Sequence, residues 1–482
     1  MREQDSAHEC AHERGHVTDS MFYGHGYATD ASRSIFCDVC RYQRWLDVEA
    51  ALALAQEELG VIPTGVGSQI ADAARVEKLD LAAVARNVRA SGHSLMGLLA
   101  ALTQVCPEQS GQYVHYGATT QDIQDTAQAL EMRMVLDELE VVLRRCVHAL
   151  LDLVASHRHT ICLGRTHARA AVPMTLGVKL AGWIDELVRQ GERVTAMRPR
   201  VLVAQMFGAV GTMAGSQDQG LEILGRVAAR LRLAEPEVAW HVARDRVAEF
   251  VCTLAMTTAS VGRIADEVRL LSRPEFGELE EHWQPGAIGS STMPHKRNPE
   301  LCEQIVALSR LATGSVAPAL MAMSGDGERD ARALRIEWAC VPDVSHYCLA
   351  ACQMAAGVLE RLRVDDDRMR ANLEAAGDEI FSEQLMLALA QPVGKQRAHA
   401  LVYDLVISAR RAHRTLREQF ETDPECARLL DPARLDVVFD PARHLGAAER
   451  LTSRALRAAN RYLFRTSGKH VVPDAPTPRG TR

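Results

Sequence analysis

Three polar, glycine-containing stretches hold the residue types able to do chemistry: HYGATTQDIQDTA at 115–127, LGRTHARAAVP at 163–173 and PGAIGSSTMPHKRNPELCE at 285–303. The first offers Thr119, Thr120 and Gln121, the second Thr166 and His167, and the third Ser290, Ser291, Lys296 and Asn298. Short hydroxyls and free backbone N–H groups at helix ends grip anions. The second and third stretches add an imidazole and a cation to that grip. Taken singly, His167 reads as a structural histidine and the Lys-Arg-Asn run as a solvated surface. Three such stretches in one chain are more than helix packing requires.

The elements that must position them are helical. Residues 125–157 carry apolar side chains at helical spacing with no proline or glycine, and 174–197, 245–272, 300–323 and 342–363 are comparable. Helices this long pack as bundles. Five of them predict an all-α, rod-like bundle whose apolar stripes are rich enough to imply self-association. A further helix is predicted from Arg33 to a C-cap at Gly60. The domain organisation expected is a tail at 1–30, a helical domain at 31–117, a central bundle at 118–365, a C-terminal helical domain at 366–466 and a tail at 467–482.

With 55 Lys+Arg against 62 Asp+Glu, the 482-residue chain is net −7, which argues against nucleic acid or an anionic membrane as partner. No apolar run approaches the roughly 20 residues of a bilayer span, and the N-terminus lacks a secretory apolar core. The twelve cysteines follow no framework, so reduced thiols in the cytoplasm are expected. His8, Cys10, His12 and His16 lack the paired halves of a zinc module, and Cys37 and Cys40 read as packing residues. No metal is expected, and without a P-loop or dinucleotide turn no cofactor either.

The stretch GSSTMPHKRNP closely resembles the signature of the fumarase/aspartase superfamily, GRTH followed by a proline resembles its second motif, and GATTQD its first. The resemblance runs over nearly the whole chain. It implies a mainly helical three-domain subunit with a long central five-helix bundle, a homotetramer built on those bundles, and active sites shared between subunits. The reaction it implies is β-elimination from a small dicarboxylate, a succinyl compound, with release of fumarate. Removing a weakly acidic C–H proton needs a strong base and strong stabilisation of the new charge. Ser290 matches the family's base. Lys296 and Asn298 match groups that hold the carboxylate and the developing charge, and His167 matches the leaving-group acid or an activator of it. Glu303 matches the carboxylate that orients such a histidine, and Thr119, Thr120 and Gln121, with Thr166, match substrate-binding positions.

His93 suits either the site or helix packing. Arg244, Arg246 and Arg329 resemble positions near the site in the adenylosuccinate-lyase branch, and Arg329 is the expected carboxylate grip because its fork is bidentate. Arg165 suits a bracing role, and His282 a structural one. The overall texture resembles the branch of adenylosuccinate lyase and carboxymuconate cycloisomerase. Cycloisomerases typically carry a bulky aromatic where this chain has His167, which favours true elimination over ring closure. The phosphate handle of adenylosuccinate lyases falls here on Gly26-Tyr27, Leu334 and Trp338, with Arg332 and Arg335 as possible replacements. A buried phosphate without donors is costly. A small succinate is therefore expected, nitrosuccinate first, as in nitrite-releasing members of antibiotic pathways. Adenylosuccinate, carboxymuconate and a structural crystallin-like role follow in that order. Ser290→Ala is expected to nearly abolish fumarate release while size-exclusion chromatography reports an intact oligomer. Retention of most activity would take serine out of the base role.

Overall fold

The structure, a computed structural model, describes residues 15–283, 286, 289, 292, 293 and 295–467. Helix accounts for 70% and strand for 4%, the all-α class that the apolar periodicity predicts. The five long helices are present with altered ends. They run Thr120–His157, Leu176–Val201, Asp245–Leu271, Glu300–Gly314 and Ala331–Glu360. The fourth stops short of its expected end: Ser315 separates it from Val316–Met321, where Pro318 brings no N–H for continuing the ladder. The fifth begins eleven residues early and passes through Pro342, losing one ladder bond. The expected Arg33–Gly60 helix is two, Asp30–Phe36 and Asp38–Glu58. Between them Cys37 takes an extended ψ of 149° as the N-cap of the second. Asp245–Leu271 is long and apolar enough to cross a membrane, but 72% of its most apolar window is buried, as befits a core helix.

Two compact units make up the chain. The first comprises the residues up to Leu143, Gln190–Gly262 and Gln304–Met354. Here the Asp38–Glu58 helix packs against Val66–Ala73 and Gly220–Leu231. Residues 15–29 form two short helical turns, and the carbonyl of Gly26 accepts a bond from Gln304 at 2.6 Å. The second unit comprises Arg144–Arg189, Arg263–Glu303 and the residues from Ala355 onward. Its hydrophobic cluster joins Leu385, Leu389, Val402, Leu405, Leu416 and Phe420 from successive helices. A smaller cluster of Leu163, Leu373, Ile380 and Phe381 anchors an antiparallel hairpin, Ile161–Thr166 with Arg169–Thr175. The segment expected as a loop is thus two strands, which the scarcity of alternating β-branched residues concealed.

The first unit is organised around a buried charge. Arg244 is 1% exposed. Its Nη1 and Nη2 donate to Asp125 at 3.0 and 2.9 Å, its Nε donates to Glu337 at 2.8 Å, and Nη2 also reaches Glu337. It stacks 5.0 Å from the centre of the Trp240 ring. Burial opposes its charge, yet Asp125 and Glu337 hold the guanidinium firmly protonated. Burial also raises the Glu337 carboxyl above its ordinary value, against the pull of Arg244. Removing one partner of such a pair leaves a charge stranded in an apolar interior, at a cost of about 3–5 kcal/mol. Arg244→Met should therefore lower the thermal midpoint strongly. Arg246→Met should change stability by only about 0.5 kcal/mol or less, because the half-buried Arg246 donates only to the carbonyl of Arg200. Equal, small effects in calorimetry would contradict the asymmetry.

Candidate active site

The first motif opens the Thr120–His157 helix in the first unit. Asp122, fully buried at the third helical position, accepts from the backbone N–H of Thr119 at 3.0 Å, half of a capping box. It also accepts from Phe207 and Gly208 N–H at 3.0 and 2.9 Å and pairs with His241 Nε2 at 2.9 Å. Thr126 exchanges two bonds of 2.9 Å with the backbone of Gln205. The motif's inward residues thus bolt the helix end to the AQMFG segment. Its outward residues, Thr119 and Thr120, stay half-exposed beside the helix N-terminus, where the macrodipole favours an anion. Arg329 arrives there from the turn before Ala331–Glu360 and donates through Nη1 to Thr119 Oγ1 at 2.6 Å. That turn is stiffened by Asp330, which accepts from the N–H groups of Asp326 and Arg332. Arg329 is exposed and has no carboxylate partner among the described residues.

In the second unit, Thr166 and His167 lie at the tip of the hairpin. His167 and Ala168 have φ of 49° and 62°, both left-handed, as a two-residue type I′ turn demands. Two non-glycine residues in that region carry strain, which local structures tolerate when their surroundings over-determine them. Arg165 supplies the restraint. It makes a forked pair with buried Glu278 at 3.0 and 2.5 Å and lies 4.6 Å from the centre of the Phe276 ring. Asn372 donates to the same carboxylate at 2.7 Å. At Gly164, where the strand register shifts, a Cβ would come within 2.8 Å of the Val172 carbonyl. His167 is exposed and unpaired among the described residues.

The third motif follows Glu278 after a short strand, Leu279–Glu280, paired with Arg363–Val364. Ser290 and Ser291 lie outside the described residues. Asn298 Nδ2 donates to the Gly289 carbonyl at 2.5 Å, and Lys296 N–H to that of Met293 at 3.0 Å. At Gly289 a Cβ would meet the Lys296 carbonyl at 2.4 Å, so only glycine fits this close crossing. Glu281 caps the following helix through the N–H groups of Leu301 and Cys302. The Lys296 side chain is exposed, and Glu303 projects from the first turn of that helix, exposed and unpaired with His167 within one chain.

The structure therefore brings Thr119, Thr120, Gln121 and Arg329 together in the first unit. Thr166 and His167 share the second unit with Lys296, Asn298 and Glu303. His93 is exposed and accepts through Nδ1 from the N–H groups of Leu95 and Met96, while neighbouring Ser94 accepts from Gln124 at 2.7 Å. His93 thus caps a helix one turn away from the first motif. Arg165 braces as expected, and Arg244 serves the core. Sequence reasoning missed Glu278, Asp122, His241 and the pair of His115 with Glu49. The i, i+3 spacing of Asp122 and Asp125 in an apolar helix was the one available signal for any of these, since it puts both on one face.

Comparison with known proteins agrees with the helical fold. A family model described as Lyase matches residues 25–314, and one described as Adenylosuccinate lyase C-terminus matches 379–455. The chain is 37% identical over 445 residues to N-acetyl-S-(2-succino)cysteine lyase of Dickeya dadantii, spanning 92% of this chain and 98% of that protein. It is 38% identical over 427 residues to 3-carboxy-cis,cis-muconate cycloisomerase of Pseudomonas aeruginosa, spanning 88% and 93%. The solved structure of a fumarate lyase from Mesorhizobium sp. superposes with a TM-score of 0.83 at 34% identity, covering 89% of this chain and 98% of that one. Fold and motifs together define an enzyme of elimination chemistry, a lyase. The chain belongs to the fumarase/aspartase superfamily, in the branch that includes adenylosuccinate lyase and carboxymuconate cycloisomerase.

The loop entering the first motif carries its own titrating pair. His115, at a left-handed φ of 61°, meets buried Glu49 at 2.7 Å through Nδ1. Burial works against the imidazolium, but the bond and charge of Glu49 outweigh it and hold His115 above its ordinary value of about 6.5. The folded-state value is the higher one. The pair's stabilisation is therefore complete below about pH 6.5 and fades as pH rises through the folded value. Glu49→Gln should lower the thermal midpoint more at about pH 6 than at about pH 9. A deficit independent of pH would contradict the pairing.

Proposed function

We propose that this lyase carries out β-elimination from a substituted succinate, and that its substrate is nitrosuccinate, split into fumarate and nitrite in a natural-product pathway. Ser290, made tolerable as an alkoxide by loop N–H groups and Lys296, takes the proton next to one carboxylate. The electron pair left behind passes through a doubly charged aci-carboxylate, closes the carbon–carbon double bond and expels nitrite. Thr119, Thr120 and Arg329 grip one carboxylate, while Thr166, Lys296 and Asn298 hold the end where charge develops. His167, oriented by Glu303 from another copy, protonates leaving groups that need it, and His93 is a further substrate-binding residue. Concentrating charge stabilisation on a developing dianion is where such a site gains most.

The observation that carries this reading is the set of exposed groups without counter-ions among the described residues: Lys296 and His167, each on a motif of the superfamily, and Arg329, bonded to Thr119 of the first motif. Apolar side chains left exposed on the long helices, among them Val141, Met256 and Leu311, support a homotetramer with sites shared between copies. The matched C-terminal region at 379–455 supports a separate domain at 366–466, after a helical domain at 31–117 and a bundle at 118–365. No cofactor takes part, and the working compartment is the cytoplasm. Against a nucleotide substrate stands Arg332, which pairs with Asp330 at 3.0 and 2.9 Å and with Asp326 at 2.5 Å, while Leu334 is buried. A second reading, loss of a thiol from a 2-succinyl thioether, is favoured by the 37% identity to the succinocysteine lyase.

The test is a parallel assay of nitrosuccinate, N-acetyl-S-(2-succino)cysteine, adenylosuccinate and carboxymuconate, with fumarate read by absorbance and nitrite by colorimetry. Equal yields of fumarate and nitrite from the first, with little turnover of the others, is the expected result. Fumarate from the thioether alone would move the assignment to the second reading. Nitrite is a good leaving group, whereas a thiolate needs more help. His167→Ala should thus slow nitrite release less than elimination from the thioether, and equal losses would remove the general-acid role.

A further inference from the structure

Gln121 stands in the first motif at a position whose resemblance implies contact with substrate. Its surroundings assign it other work. The side chain is 2% exposed. Its amide nitrogen donates to the His241 carbonyl at 2.7 Å and to Asp125 Oδ2 at 3.1 Å. An amide nitrogen has two donors, so both are spent on buried acceptors. The reverse orientation of the amide would set its oxygen against a carbonyl and a carboxylate and leave both short of a donor, which is costly in a buried place. Asp125 cannot turn away, because Gln205 Nε2 at 3.1 Å and the two Arg244 bonds hold it from other sides. Oε1 of Gln121 is therefore forced outward, to 3.4 Å from Arg329 Nε.

An outward amide oxygen repels a carboxylate and attracts a guanidinium. We propose that Gln121 is a positioning residue: it does not bind substrate but orients Arg329, which does. With Nε directed at Gln121 and one Nη1 hydrogen at Thr119, the three remaining N–H bonds of Arg329 lie on Nη1 and Nη2. They form the free edge of the fork, available for a bidentate carboxylate. The orientation of that edge is set by a relay that starts at Arg244, passes through Asp125 and Gln121, and ends at Arg329. This role rests on the reading that Arg329 grips a dicarboxylate, and it deepens that reading by naming what aims the grip.

The experiment is a double-mutant cycle on the full-length enzyme, with Gln121→Met, Arg329→Ala and the double variant. Fumarate affinity is measured by calorimetry, and KM and kcat on whichever succinate the wild type turns over. Loss of one orienting bond corresponds to a weakening of about tenfold in affinity. Gln121→Met is expected to raise KM and the fumarate Kd by that factor with kcat nearly unchanged, and the double variant to bind no worse than Arg329→Ala alone. Additive losses in the double variant would mean that Gln121 touches substrate itself, and unchanged affinity in Gln121→Met would mean that it aims nothing. Either result overturns the role. Should Gln121→Met not fold, the wild-type enzyme carries the test itself: in arginine-selective NMR the Arg329 Nε–H, held by Gln121 Oε1, should exchange with solvent more slowly than that of an unpaired surface arginine, before as well as after fumarate is added. An Arg329 Nε–H that exchanges as fast as an unpaired one would overturn the role. A wild type that binds no dicarboxylate at all would instead sink the functional reading, and this role with it.

Discussion

A guanidinium without access to water anchors the head of the longest helix. Arg244 is tolerable in its apolar surroundings only because Asp125 and Glu337 embrace it, and those carboxylates are tolerable only because of Arg244. The geometry of this mutual dependence propagates outward. Asp125 fixes the amide of Gln121, and Asp122, one turn earlier, fixes His241 and the N–H groups of Phe207 and Gly208. A motif that looks like a string of ligand-binding side chains is therefore two sets interleaved by helical periodicity. Asp122, Asp125 and Thr126 face inward and carry the structure, while Thr119 and Thr120 remain half-exposed at the helix end.

The second unit meets the same need, a precisely aimed polar group, with a different device. It holds an imidazole on the tip of a hairpin whose two turn residues, His167 and Ala168, are both left-handed and neither of which is glycine. The strain is contained by Arg165 locked onto Glu278, and Glu278 adjoins the strand that leads into the signature motif. Hairpin and signature thus share a root. The signature's stem is closed by Asn298 on the Gly289 carbonyl, across a gap that admits no side chain.

A common logic links both devices. Most charged groups around the motifs are satisfied by neighbours: Arg165, Arg244 and Arg332 by carboxylates, Asp122 and Glu281 by backbone N–H groups. Against that background Arg329, Lys296 and His167 stand open. The elimination we propose, through a doubly charged intermediate, would use such unspent charge, ready before the substrate arrives and costing no reorganisation during the reaction. The paired groups keep the unpaired ones in place.

From the residue pattern alone, the helical class, the five long helices and the three motif positions were legible, because apolar periodicity over thirty residues is a strong signal and because the motif residues are chemically distinctive. So were the superfamily and the bracing role of Arg165. The hairpin at 161–175 was not, since its strands lack alternation and owe their pairing to the cluster around Leu163 and Leu373. Nor was the break at Cys37, where local preference allows either continuation or a new cap. The division of labour within GATTQDIQDTA was decided only in three dimensions. Whether a glutamine offers its nitrogen or its oxygen to the site depends on what lies behind it, and the carbonyl of His241 lies 120 residues away in sequence. Residue type sets which bonds a side chain can make; the partners brought to it by folding determine which of them remain for the substrate.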